Sequence, residues 1–265
     1  MNVFRYEFRS SLKSMLYWFC TTILITLIFL LMFSSFKEES KTVLALFEGF
    51  PPEVLKSFGF DPVKFFEIEG YLSFLFMYIL ICVGLQSVNL SLGIFSKEKR
   101  FKNFDFILTK PKKRSSILGW KALCVLAYIV LNTILYTIAL IIMISIVAKE
   151  GYDFNYIMLL SVAILLTQLI LDSVGAFLGV ILPKVKSVSS IATILVLGLY
   201  IVQIVENFLE SSTIKYINPF GMYDSMEILK SGSISGVSYG VGIGMIIIFT
   251  GISALMYVKK DIHVS

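Results

Sequence analysis

The sequence predicts an all-α polytopic membrane protein with six transmembrane helices, and three observations carry that prediction. Of the 265 residues, 57% are apolar and only 15% are charged, against about 25% charged in an ordinary soluble domain. The mean hydropathy is +0.86. Six stretches reach the roughly 20 apolar residues that a helix needs to cross a bilayer core, where no backbone group can be left unpaired. This composition excludes a soluble enzyme, a disordered chain and a secreted disulfide scaffold.

In chain order, Phe4, Phe8 and Leu12 recur at four-residue spacing beside a stripe of Arg5, Arg9 and Lys13. That pattern predicts an amphipathic elbow helix on the inner leaflet, with a plain basic flank as the alternative. The predicted spans are 16–36, 71–95, 117–147, 156–182, 187–209 and 234–258. The first is expected to be retained, because its apolar run is too long for a signal peptide and Met32-Phe33-Ser34-Ser35 offers no cleavage site. The outer segment 37–70 is acidic yet apolar. It predicts short helices on the outer leaflet or over the exit of a pathway, divided at Pro51-Pro52.

Basic residues set the orientation. With the N-terminus in the cytoplasm, the inner segments hold 16 Lys and Arg against four acids, and the outer segments seven against thirteen acids. Six crossings return the C-terminus to the cytoplasm. Tyr17, Trp18, Tyr71, Trp120, Tyr156 and Tyr257 stand near span ends, where interfacial aromatics belong. The formal charges within spans are Lys121, Asp172 and Glu206. Lys121 and Glu206 are near enough to an end to reach the headgroups, which leaves Asp172 deep.

Little chemistry is available to the chain itself. Cys20, Cys82 and Cys124 all fall in apolar runs, so neither a disulfide framework nor a metal site is indicated, and the single histidine is His263. No Gly-Lys dipeptide occurs, so the chain lacks a phosphate loop and is not expected to hydrolyse ATP by that route. No His-Glu-x-x-His motif is present either.

The loop 96–116 is the most informative segment. Phe101, Phe104, Phe106, Ile107 and Leu108 lie among its charges, a composition that suits a docking surface, with polybasic lipid contact as the competing explanation. A helix starting near Glu98 must stop before Pro111. Glu98-Lys99-Arg100, Phe104-Asp105-Phe106-Ile107-Leu108-Thr109-Lys110-Pro111 and Arg114 together resemble the coupling region of ABC type-2 permeases, the membrane subunits of bacterial ABC exporters. Lys102-Asn103 stands where that family has a Gly-Thr-like pair. Tyr216-Ile217-Asn218-Pro219-Phe220 before the last span and Val258-Lys259-Lys260-Asp261 after it are similar to further segments of the family.

The resemblance implies a permease in the bacterial plasma membrane that works as a pair of copies. It also implies a separate cytoplasmic ATPase that carries the ATP and magnesium. Glu98 and Asp105 would anchor that ATPase, and Phe104, Phe106 and Leu108 would fill an apolar groove on it. The cargo it implies is a drug, an antimicrobial peptide or another amphipathic compound. No cofactor in this chain and no nucleic-acid partner are expected. An ion-gradient transporter and a membrane anchor that recruits an ATPase are the alternatives; the chain shows no convincing repeat of the kind common in the former.

Polar residues within spans are the remaining candidates. Asp172 lies past mid-bilayer, and Gln168 is one turn above it on the same face. Asp172 is either a structural carboxyl, bonded to a neighbouring helix or paired with Lys121, or a contact for cargo. Gln86, Asn89, Asn132 and Gln203 either join helices or line a path. Gly232, Gly236, Gly240 and Gly244, and likewise Gly175 and Gly179, recur every four residues. Such rows predict close helix packing, with a hinge as the alternative.

Overall fold

The computed structural model describes residues 3–47, 49–58, 60–101, 114–148, 151–209 and 215–259. The chain forms α1 (Val3–Glu38), α2 (Ser40–Phe47), α3 (Pro52–Ser57), α4 (Ile68–Phe95) and α5 (Lys97–Phe101). It continues with α6 (Arg114–Val147), α7 (Phe154–Ile181), α8 (Val188–Leu209), α9 (Pro219–Met222), α10 (Ser225–Ser231) and α11 (Gly236–Lys259). Among the described residues there is no strand. Six helices, α1, α4, α6, α7, α8 and α11, are long and apolar enough to cross a membrane.

Capping residues explain several of the helix ends. Asp153 opens α7 by accepting from the backbone N–H of Asn155 at 2.8 Å and Tyr156 at 3.3 Å. Leu182 closes it, and Pro183, which has no N–H, follows. Asp224 caps α10 by accepting from Glu227 N at 2.7 Å. Gly232 ends that helix at φ 65°, in the left-handed region that glycine enters at little cost. Pro52 stands at the first position of α3, where its missing N–H is not needed.

The expected break between an elbow helix and the first span is absent, because α1 runs unbroken from Val3 to Glu38. Those residues include neither proline nor glycine, so nothing local interrupts the hydrogen-bond ladder, and contacts of Glu7 and Phe8 hold its first turns. The later spans begin and end within three residues of their predicted boundaries. In the segment 37–70, α2 and α3 lie on either side of Pro51.

Helices α4 and α7 form the centre of the bundle and pack most extensively against each other. Of their most apolar windows, 67% and 56% of residues are buried, against 17% for α8 and 11% for α11. Helix α11 packs on α7, α1 packs on α6 and α4, and α8 lies against α4. One apolar cluster has Phe33, Phe60, Phe65, Tyr71 and Phe76 among its buried rings. A second cluster, with Ile94, Phe95, Cys124, Tyr128 and Val180, fills the end that α5 adjoins.

Candidate functional site

The end of the bundle next to α5 joins four helices through charged side chains. The last turn of α4 meets α7 at its two regularly spaced glycines. A Cβ at Gly179 would stand 2.9 Å from Phe95 Cβ, and one at Gly175 would stand 3.3 Å from the backbone of Val88 and closer still to Ser91 Oγ. These glycines let the two helices approach at the level where α5 begins. Lys121, on α6, donates to the carbonyl of Ile94 at 2.9 Å and is 1% exposed. The expectation that its side chain reaches the headgroups is therefore corrected: its ammonium serves a helix end inside the protein.

From this base α5 reaches in two directions. Lys97 Nζ lies 2.9 Å from Glu7 Oε2, donates to Ser10 Oγ at 3.1 Å, and stands 4.3 Å from the centre of the Tyr6 ring. Lys99 Nζ donates to the carbonyls of Gly179 at 3.0 Å, Val180 at 2.5 Å and Leu182 at 2.8 Å. Arg100 turns back on α4 and donates to Gly93 O at 3.0 Å; burial pulls its guanidinium below its ordinary pKa. The start of α1 is held here as well. Phe8 stacks on Tyr128 with ring centres 4.3 Å apart, and the Tyr128 hydroxyl donates to the Phe8 carbonyl.

Of the residues assigned to coupling, Glu98 and Arg100 fall in α5 and Arg114 opens α6. Phe104, Asp105, Phe106, Leu108 and Pro111 lie outside the described residues. Sequence reasoning missed the contacts of Glu7, Lys97 and Lys99 and misplaced Lys121. A usable signal existed for two of them: lysines two apart on a helix point about 200° apart, as a wedge between two neighbours requires.

The polar residues within the spans are met mostly by one another. Gln86 donates to Asn132 Oδ1 at 3.2 Å, Thr133 donates to Gln168 Oε1 at 2.8 Å, and Thr137 donates to Ser161 at 2.8 Å. Asn89 bonds within its own helix, to Leu85 O at 2.8 Å. Helix α6 thus joins α4 and α7 through side-chain hydrogen bonds. Asp172 is half-buried, and its Oδ1 has no hydrogen-bond partner among the described residues. Lys121, offered as its partner, donates to Ile94 O in the bond described above.

At the other end of the bundle a second polar group forms. Gln203 Nε2 donates to Asn207 Oδ1 at 2.8 Å, and Asn218 Nδ2 donates to Leu199 O at 2.9 Å. Glu206 is 4% exposed, so it too fails to reach the headgroups as expected. Room for its carboxylate comes from Gly221, where a Cβ would stand 2.8 Å from Glu206 Oε2. The remaining glycines behave differently from Gly175 and Gly179. Gly232 caps α10 rather than packing a span, and a Cβ at Gly236, Gly240 or Gly244 would meet nothing within 4 Å. Their row faces outward from this chain.

Among the described residues, six helices are long and apolar enough to cross a membrane. The chain matches the family described as ABC-2 family transporter protein over residues 1–262, and it belongs to that family. Its class is therefore that of ABC transporter permeases, which in general work with an ABC ATPase. No curated protein matches it.

Proposed function

We propose that the chain is the permease subunit of an ATP-driven exporter in a bacterial plasma membrane, with both termini in the cytoplasm. Two copies form the pathway. A separate ATPase, carrying ATP and magnesium, docks on the loop 96–116, with Glu98 and Asp105 as polar anchors and Phe104, Phe106 and Leu108 in an apolar groove of the partner. Closure of the paired ATPases around ATP rocks the permeases between inward- and outward-facing states. The cargo is a drug, an antimicrobial peptide or another amphipathic compound.

The observation that carries this reading is the family match along almost the whole chain. The placement of α5 supports it, because the segment that opens the loop is bonded to α1, α4 and α7 and not left free. The test looks for a phosphate-loop ATPase in the neighbouring reading frame, co-expresses it with the permease and purifies the tagged permease in mild detergent. Wild type should bring the ATPase down, and Phe104→Ala plus Leu108→Ala should lose it. Copurification that survives the double substitution would overturn the docking assignment.

A further inference from the structure

Helix α7 ends where it cannot continue. Pro183, which has no N–H, follows the capping residue Leu182, whose own N–H meets the carbonyl of Leu178. Lys99 reaches this helix end from α5. An ammonium has three N–H donors, and here the three carbonyls of Gly179, Val180 and Leu182 all lie within 3.0 Å of it. The charge also sits at the negative end of the α7 dipole, where a cation is favoured. This lysine belongs to α5, some 80 residues earlier in the chain. Lys97, about 200° around the same helix, grips Glu7 and Ser10 of α1.

Covalently, the loop 96–116 is continuous with α4 and α6 and has no link to α7. Resting on the coupling role proposed for this loop, we infer that Lys99 is a positioning residue that fastens the coupling segment to the inner end of α7. A nucleotide-driven displacement of the loop then moves α7 directly. That helix is at the centre of the bundle, carries Gln168 and Asp172, and packs on both α4 and α11, so moving it repositions three spans together.

The test uses the permease purified with its ATPase subunit, with Cys20, Cys82 and Cys124 replaced by alanine. A bimane fluorophore is placed either at Lys184→Cys, just past the end of α7, or at Arg9→Cys on α1; both positions are exposed. The probe ligand is ATP with vanadate. In the parent complex both reporters are expected to respond. Lys99→Met should cut the Lys184 response by about tenfold, the size expected for losing a charge-assisted contact, while the Arg9 response and ATP hydrolysis persist. Lys99→Arg should restore it. A Lys184 response of full size in Lys99→Met overturns the inference, and so does an equal loss at both reporters, which marks a merely structural role. A parent complex that fails to bind its ATPase overturns the coupling reading and this inference with it.

Discussion

Single residues separate what the sequence makes visible from what only packing decides. The two glycine rows read alike along the chain, yet one faces a neighbouring helix and the other faces outward. A Cβ at Gly179 would press on Phe95 Cβ at 2.9 Å and on the backbone of Phe95 and Ser96 at 3.4 Å. Gly179→Ala should therefore cost about 1–3 kcal/mol, the usual range for overpacking. Gly240→Ala and Gly244→Ala meet nothing within 4 Å and should leave stability unchanged or raise it by up to about 1 kcal/mol. Thermal melts in detergent, read by thiol-reactive dye at buried Cys124, compare the three directly. Asp224 gives a pH prediction. Its half-buried carboxyl is pushed above the ordinary aspartate range by burial, a push only partly offset by its capping bond with Glu227 N and by Lys215. The folded state then holds this proton more tightly than the unfolded chain, so the group's contribution is full at low pH and is lost as pH rises through the raised value. Asp224→Asn keeps a competent cap and should flatten that dependence at pH values above the ordinary aspartate range. An unchanged slope in the melts would assign the pH dependence to other groups.

At the scale of elements, the spans were legible because bilayer thickness imposes a length and a composition that need no knowledge of neighbours. The extent of α1 was not. Its first dozen residues have the pattern of a surface helix, but their fate is decided by contacts that periodicity does not name: Phe8 on Tyr128, and Glu7 with Lys97. Lys121 and Glu206 were misread for a related reason. Proximity to a span end says how far a side chain can reach, and the carbonyl of Ile94 and the gap at Gly221 decide where each one goes. The Glu7–Lys97 pair is the tie between α1 and α5, with 5% and 19% of the two side chains exposed. That places it between surface pairs, worth little, and buried pairs, where removing one partner is costly. Glu7→Gln should therefore destabilise by about 1–3 kcal/mol. In a double-mutant cycle with Lys97→Gln, most of that cost should vanish from the second substitution. Strict additivity would show that α1 and α5 are not joined through this pair.

For the whole molecule, the family and the six crossings followed from composition and a few short motifs, whereas the direction of crossing rests on charge alone. The 16 basic residues assigned to one side include eight in the segment 97–114, and loops rich in Lys and Arg stay in the cytoplasm. The internal bonding is consistent with that side being a working surface: Lys97, Lys99 and Lys121 are each used to bind helix ends or a carboxylate there, so the positive charge is structural as well as topological. A membrane-impermeant maleimide distinguishes the two orientations in a background with Cys20, Cys82 and Cys124 replaced. Val63→Cys, 83% exposed, and Lys230→Cys, also exposed, should react in intact cells. Lys184→Cys and Arg9→Cys should react only after the membrane is opened. The reverse pattern would put the loop 96–116 outside the cell, away from any ATP-hydrolysing partner. It would leave the six-helix bundle intact while removing the reason for α5 to be bound to three of its helices.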